Sequence, residues 1–193
     1  MFKQFKIKNL TKKLKAFQAN RVHNQPPAEI ITKEIAIYHQ LGEIYNSLRG
    51  HKKFPYAEEM VTACLRGAAD LEDPVAEYQL GKKFLEEAKF RDELQKGEIF
   101  ASHGNERQMK QLYEEALLYL HNAEKLGHIE AKRIHGLCYI NGWGVTANKD
   151  KGFELIVQSI EQENSWDKIP QIFAELGLNK PEFFSEIMKH RSK

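Results

Sequence analysis

Cysteine is scarce in this chain of 193 residues, and the scarcity argues against one common way of stabilising a fold. The sequence contains only Cys64 and Cys138. A secreted protein held together by disulfides would need many more cysteines. Both cysteines fall among apolar residues of predicted helices, so we expect buried, reduced thiols and a cytoplasmic location.

Long apolar runs are missing as well. No stretch approaches the roughly 20 apolar residues that a membrane-spanning helix requires. Lysine interrupts the N-terminal region every two to four residues, so we expect no secretory leader there. Hydrophobic residues make up 41% and charged residues 29% of the sequence, which is typical of a soluble helical domain with a sizeable core.

Sequence patterns for nucleotide or acid–base chemistry are not apparent. No glycine-rich phosphate loop follows a strand, and no strands are evident in the sequence. The paired carboxylates Glu58-Glu59 and Glu114-Glu115 lie on predicted helices, where such pairs are typical of solvated faces. We therefore predict that the protein is not an enzyme, uses no cofactor and has no small-molecule substrate.

Three histidines could suggest a metal site. His121, His128 and His135 recur every seven residues, but Gly127 breaks the helix between the first two, so they form no single row. His135 and Cys138 lie one helical turn apart and offer two ligands. A closed zinc site needs four ligands, so we predict buried core residues and no metal.

The first 23 residues are the most biased part of the chain. The whole sequence has 29 basic and 27 acidic residues, yet this segment has seven basic residues and no acid. Its apolar residues recur at helical spacing, which predicts a basic amphipathic helix or an arm that becomes one. The docking residues that we predict on it are Phe2, Lys3, Phe5, Lys6, Leu10, Lys13, Leu14 and Phe17.

This arm has several potential binding partners. An anionic membrane, a partner protein and the end of the protein's own helical body each suit its apolar stripe and lysines. Nucleic acid is disfavoured because few aromatic residues are interleaved and no nucleic-acid-binding module follows.

The segment 116–152 reads as helix, tight turn, helix, tight turn and the start of a third helix. Small residues recur at helical spacing and let helices approach closely, and glycines mark the two turns. These are Ala116, Ala123, Ala131 and Gly136 in the helices, and Gly127, Gly142 and Gly144 in the turns. Such a unit cannot bury its apolar face alone, which predicts copies elsewhere.

The sequence contains such copies. Five residues, Ala68, Leu71, Ala76, Gly81 and Phe84, lie 55 positions before Ala123, Leu126, Ala131, Gly136 and Tyr139. A third copy of the Leu-Gly-x-x-aromatic pattern runs from Leu41 to Tyr45.

The repeat resembles the Sel-1-like repeat family. The segment from Gly142 to Gly152 is similar to that family's linker, and Ala131 to Tyr139 is similar to its Ala-Gln-x-x-Leu-Gly-x-x-Tyr helix. Departures are Asn148 at a usual Asp, Gly152 at a usual Ala and His135 at a usual Leu. The family repeat is about 36 residues long, so a spacing of 55 implies an insertion of about 19. The resemblance is good over 61–161 and weak over 29–53.

The resemblance implies an all-α fold, a short right-handed α-solenoid of about three helix-turn-helix repeats. We predict a basic arm over 1–27, repeats over 28–163 with a helical hairpin inserted near 86–112, and a helical C-terminal cap over 164–193. The aromatic residues of that cap also suit a partner-binding patch.

Helix boundaries follow from caps and breaks. We predict helices over 28–48, 56–70, from Pro74 onward, 106–125, 129–140 and 149–163. The last is followed by a helix capped by Ser165 and another after Pro181.

A groove on the concave face is the binding surface that this fold implies. Residues between the packing positions are expected to face it. They are Tyr38, His39 and Glu43 in the first repeat, Glu77, Tyr78 and Lys82 in the second, and Lys132, Arg133 and Leu137 in the third. Trp143, between two glycines, is the best candidate for an exposed aromatic residue.

Three functions compete. The first is a non-catalytic adaptor or scaffold that binds proteins in a bacterial secretion or envelope complex, as the resemblance implies. The second is a peripheral recruiter at the inner membrane that uses the basic helix. The third is a hydrolase related to cysteine-rich Sel-1-like β-lactam-binding proteins. It is disfavoured because those relatives carry paired cysteines in every repeat, and we predict neither Ser159 nor Ser165 as a nucleophile.

Overall fold

A computed structural model describes residues 2–23, 26–97 and 101–191. Within these ranges the chain is helical and has no strand, which confirms the all-α prediction. The helices are α1 (Phe2–His23), α2 (Ala28–Asn46), α3 (Ala57–Ala69), α4 (Pro74–Lys96), α5 (His103–Lys125), α6 (Ile129–Asn141), α7 (Lys149–Glu163), α8 (Ile169–Leu176) and α9 (Pro181–Arg191). None of the helices in these ranges has the length and apolar character needed to cross a bilayer.

The described chain divides into two compact units. Unit 1 reaches to Glu77 and unit 2 begins at Tyr78, within α4. The predicted solenoid arrangement and its domain boundaries stay predictions.

Helix starts follow the capping residues in the sequence. Asp73 precedes Pro74, and its Oδ2 accepts a hydrogen bond of 2.9 Å from the backbone N–H of Ala76. Ser102 and Asn148 cap α5 and α7 in the same way, through bonds from the N–H groups of Asn105 and Lys151. These side chains satisfy donors that a helix start otherwise leaves unpaired.

The region of the predicted insertion consists of two long helices. Both α4 and α5 have 23 residues. Asn105 Nδ2 on α5 donates to the carbonyl oxygen of Arg91 at 3.1 Å and to Gln95 Oε1 at 3.0 Å, both on α4. These bonds join the last turns of α4 to the first turn of α5.

Unit 1 is built around α2, which packs against both α1 and α3. Lys3 Nζ donates to Ser47 Oγ at 2.9 Å, and Gln18 Nε2 donates to Tyr38 Oη at 2.9 Å. Because Lys3, near the start of α1, bonds to Ser47, just after the end of α2, the two helices run antiparallel.

The packing of α1 on α2 buries part of its apolar stripe. Leu10 and Leu14 are only 7% and 9% exposed. Arg21 lies 3.4 Å from the carboxylate of Glu34, whose side chain is buried. The basic segment is therefore a helix held on its own unit by apolar contacts and an ion pair.

In unit 2, α6 and α7 approach each other closely. A β-carbon built on Gly136 would lie 2.6 Å from the carbonyl oxygen of Gly152, and one on Gly152 would lie 2.5 Å from Ile140 Cγ1. Such distances are shorter than any ordinary carbon contact, so only glycine fits at both positions. Around this crossing Phe153, Ile156 and Ile160 are at most 1% exposed.

The last two helices complete this core. Ile172, Phe173 and Ile187 are buried in it, and the aromatic residues Trp166, Phe183 and Phe184 pack against it half-buried. The aromatic stripes thus contribute to folding and are not an open patch. Ser165 makes no side-chain cap bond, contrary to prediction, because the chain first forms a 3-10 turn at Trp166–Lys168.

The crossing at Gly136 gives a direct test of this packing. We expect Gly136→Ala to lower the free energy of unfolding by about 1–3 kcal/mol, because the added methyl group overpacks the α6–α7 contact. Gly104→Ala is the control: it lies near the start of α5, where a β-carbon meets nothing closer than 3.8 Å. Urea unfolding of both variants measures the difference, and equal midpoints would contradict the close approach.

Candidate functional site

Four of the predicted groove residues do not face an open groove. Tyr38, Glu77, Arg133 and Leu137 are 7%, 6%, 7% and 8% exposed, respectively. The expectation that they are accessible to a partner is wrong, because neighbouring helices and side chains cover those positions.

Tyr38 is a packing residue of unit 1. A β-carbon on Gly67 would lie 2.3 Å from Cε1 of Tyr38, so the ring packs directly against that glycine. Burial raises the pKa of the Tyr38 hydroxyl, and Gln18 donates to its oxygen. A larger residue at position 67 in α3 would collide with the Tyr38 ring, so this contact requires glycine there.

His39 is half-buried and also has an internal partner. Its Nε2 lies 2.7 Å from Asp73 Oδ2, the atom that caps the start of α4. His39 thus helps to hold the Asp73 side chain in its capping position at the start of α4.

Tyr78 and His128 form a stacked pair in unit 2. Their ring centroids are 4.3 Å apart at an interplanar angle of 22°. His128 Nδ1 in turn accepts a bond of 3.3 Å from the backbone N–H of Ala131 at the start of α6. Burial raises the pKa of the Tyr78 hydroxyl. Because Tyr78 stacks on the histidine that caps α6, it supports the start of that helix.

The remaining three predicted groove residues are exposed or half-buried. Glu43 in unit 1 and Lys82 in unit 2 are exposed, and Lys132 is half-buried. Their binding role stays a prediction.

Arg133 is the centre of a buried polar cluster between α6 and the end of α7. Its Nε donates to Ser159 Oγ at 3.1 Å, and its Nη2 contacts Glu163 Oε2 and Ser165 Oγ. The hydrogen bond from Arg133, with another from Ser165, lowers the pKa of the Glu163 carboxyl. The arginine holds the chain where α7 ends.

We expect Arg133→Ala to destabilise the protein rather than alter a binding surface. The substitution removes a hydrogen-bond partner from the buried Ser159 and Ser165 and breaks an ion pair with the exposed Glu163, so we expect a loss of about 1–2 kcal/mol. Lys132→Ala, one residue earlier and less buried, should change stability by less than about 0.5 kcal/mol. Urea unfolding decides, and an Arg133→Ala midpoint equal to that of Lys132→Ala would refute this role.

Trp143 is not the exposed aromatic residue that we predicted. It is half-buried and packs against the core of unit 2. Lys89 Nζ lies 4.2 Å from the centroid of its ring, a cation–π contact. Gly142 and Gly144 beside it have φ of 72° and 70°, as the predicted turn requires.

The apolar residues of helix α1 differ widely in their solvent exposure. Phe2 and Phe5 are 80% and 64% exposed, whereas Leu10 and Leu14 are buried and Phe17 is half-buried. Its lysines Lys3, Lys6, Lys8, Lys12, Lys13 and Lys15 are all exposed. The structure thus divides the predicted docking residues into an inner set that holds the helix and an outer set that faces solvent.

Two clefts lie along α1 in unit 1. The larger, of about 530 Å³, has Lys13 and Lys33 on its rim and Leu10, Phe17 and Ile37 in its lining. The second, of about 420 Å³, is lined by residues that include Phe2, Lys3, His51, Lys53 and Phe54. Among the residues that the structure describes, no carboxylate lines either cleft, so both combine apolar surface with positive charge.

One Ser-x-x-Lys spacing does occur in the chain, from Ser165 to Lys168. Ser165 is 1% exposed and accepts a hydrogen bond from Arg133, while Lys168 is exposed. The serine is therefore placed as a structural residue of the Arg133 cluster and not as an accessible nucleophile.

The sequence offered His135 and Cys138 as two possible metal ligands, but the structure places other ligating side chains around His135. Cys138 is fully buried, burial raises the pKa of its thiol to about 12, and it does not belong to the group of ligating side chains that the described structure brings together at His135. Instead His121 and His135 lie close together, with ring centroids 5.7 Å apart. Their equal spacing from His128, next to the turn at Gly127, is the signal that could have revealed this.

Comparisons with known proteins add no relative. No protein-family model matches the sequence, and no curated protein matches it significantly. The resemblance to Sel-1-like repeats therefore stays a prediction.

Proposed function

We propose that this protein is a non-catalytic adaptor that binds an acidic segment of a partner protein on the outer face of α1. We call this face the α1 surface and define it as Phe2, Phe5, Lys6, Lys12 and Lys13 with the two adjoining clefts. The observation that carries the proposal is the pair of exposed phenylalanines on a docked, purely basic helix.

The helix is already ordered for binding. Leu10 and Leu14 and the bonds to Ser47 and Tyr38 hold it on α2. A partner that binds there does not have to order the helix, so less conformational entropy is lost on association.

The chemistry of the α1 surface indicates the kind of partner. Exposed aromatic side chains are suited to be binding hot spots. Lysines around the apolar clefts attract carboxylates and suppress cationic partners. An amphipathic helix or extended segment rich in Asp and Glu satisfies both requirements. Assembly of a multiprotein complex, such as the secretion or envelope complex that the family resemblance implies, is the role we propose.

We expect Phe2→Ser with Phe5→Ser to reduce recovery of bound partner proteins at least tenfold in quantitative affinity purification, since each lost aromatic anchor costs on the order of 1–2 kcal/mol. Tyr56→Ser is the matched control, because Tyr56 is 71% exposed elsewhere in unit 1. Recovery should also fall as salt rises. Equal recovery by the double variant and the control would reject the α1 surface as the interface.

Peripheral membrane recruitment is the second candidate, and the same phenylalanines favour it. Aromatic side chains beside lysines insert at anionic lipid surfaces, where each lysine contributes about 1 kcal/mol. The burial of Leu10 and Leu14 against α2 leaves a short lipid-facing stripe, and we therefore rank this function below protein binding.

Liposome flotation distinguishes the two functions. The adaptor function predicts that the protein stays with the soluble fraction when mixed with vesicles containing 30% phosphatidylglycerol at physiological salt. The membrane function predicts that it floats with them, and that Phe2→Ser with Phe5→Ser, but not Tyr56→Ser, returns it to solution. Flotation of that kind would replace the adaptor proposal.

A further inference from the structure

The turn between α5 and α6 brings together three side chains that can ligate a metal. Gly127 adopts a φ of 88°, which reverses the chain between the two helices. His121 lies seven residues before His128 and His135 seven residues after it, so the hairpin places them side by side. Their rings meet edge to face at an interplanar angle of 66°.

Glu124 lies between the two histidines. It is one helical turn after His121, so both side chains extend from the same face of α5. Its Oε2 is 2.6 Å from His135 Nδ1 and 4.0 Å from His121 Nδ1. One donor atom from each of the three residues lies within 4.8 Å of the others.

The three groups differ in exposure in a way that suits an open metal site. The side chains of His135 and Glu124 are 10% and 17% exposed, while that of His121 is 47% exposed. The cluster borders a cleft of about 390 Å³ that is lined mainly by aliphatic side chains and Tyr139. Two ligands are thus fixed by packing, and the third is free to adjust toward an ion.

We propose that His121, Glu124 and His135 form a binding site for a borderline divalent cation, for which Zn²⁺ is the best match. Two imidazoles and one carboxylate are a common set of three protein ligands for zinc, with the fourth position left to water. Ca²⁺ and Mg²⁺ prefer oxygen ligands and fit this set less well.

The required movements are small. Tetrahedral coordination with bonds of about 2.0–2.1 Å places the ligand atoms roughly 3.3 Å apart. The contact between Glu124 and His135 must open slightly as the ion replaces the shared proton. The exposed side chain of His121 must move inward by a similar amount.

Two members of the cluster have pKa values that are shifted by their surroundings. The hydrogen bond from His135 lowers the pKa of the Glu124 carboxyl. Burial, followed by the charges of Lys125, His135 and Lys151, lowers the pKa of His121.

Lys151 is the charged group that opposes the cation within the cleft. Its Nζ donates to Tyr139 Oη at 2.7 Å, which holds it beside the cluster. Its charge weakens binding of a bare cation and favours an anion, such as hydroxide, as the fourth ligand.

A second cluster serves as the internal control. Asp150, Glu186 and His190 also bring one donor atom each within 4.8 Å of one another. Asp150 is 91% exposed there, and Glu186 Oε1 is engaged by Lys189 Nζ at 2.5 Å. In that cluster only His190, at 10% exposure, is a largely buried ligand, and it is the one imidazole where the α5–α6 site offers two.

The test is a titration of the full chain, without a polyhistidine tag and freed of metal by a chelator. We expect Zn²⁺ to bind at one equivalent in isothermal titration calorimetry at pH 7.5. We expect Co²⁺ to give the visible bands of a tetrahedral complex. His121→Ala and Glu124→Gln should each weaken Zn²⁺ binding at least tenfold, by analogy with the loss seen when ligand support is removed.

His190→Ala is the matched control and should bind Zn²⁺ as the unchanged protein does. Circular dichroism checks that each variant keeps its helices, and the exposed position of His121 makes its variant the decisive one. The proposal is wrong if the unchanged protein binds no stoichiometric Zn²⁺. It is also wrong if His121→Ala binds as tightly as the unchanged protein, or if His190→Ala alone loses the ion.

Discussion

Close approach of helices through residues without bulk is the constraint on which unit 2 depends. The α6–α7 crossing leaves no room for a β-carbon at Gly136 or Gly152. Close packing of this kind fixes the helix register to within a fraction of a turn, because dispersion contacts are lost when a gap opens. With that register set, Phe153, Ile156 and Ile160 fall into one core, and the helices α8 and α9 have a surface to cover.

Local signals in the sequence were sufficient to predict the helices themselves. The helix predicted over 149–163 coincides with α7, whose start is capped by Asn148, because caps and breaks act over three or four residues. Which face each helix buries was not predictable in the same way. Arg133 resembled a surface residue, since its partner Glu163 lies thirty residues later and leaves no local mark on the pattern.

The histidines show that a correct local prediction does not by itself give the spatial arrangement of the side chains. Gly127 was rightly predicted to interrupt the helix, but the interruption is a reversal, and a reversal brings positions at equal distance from it together. Helix α1 is a second case in which the sequence pattern did not give the arrangement in space. Its apolar stripe was predicted as one docking face. The structure divides it, because Leu10 and Leu14 face α2 while Phe2 and Phe5 remain in solvent. The adaptor proposal rests on that division in unit 1, and the metal proposal rests on the hairpin in unit 2.

The register of the α5–α6 hairpin is the central structural claim, and proton NMR tests it most directly. A nuclear Overhauser experiment on the full chain, with assigned imidazole and phenol resonances, should show contacts between the ring protons of His121 and His135. The ring pair of His135 and Tyr139, with centroids 5.2 Å apart one turn along α6, is the internal reference. Cross-peaks for both pairs are the predicted result. Cross-peaks for His135 and Tyr139 without any between His121 and His135 would contradict the account.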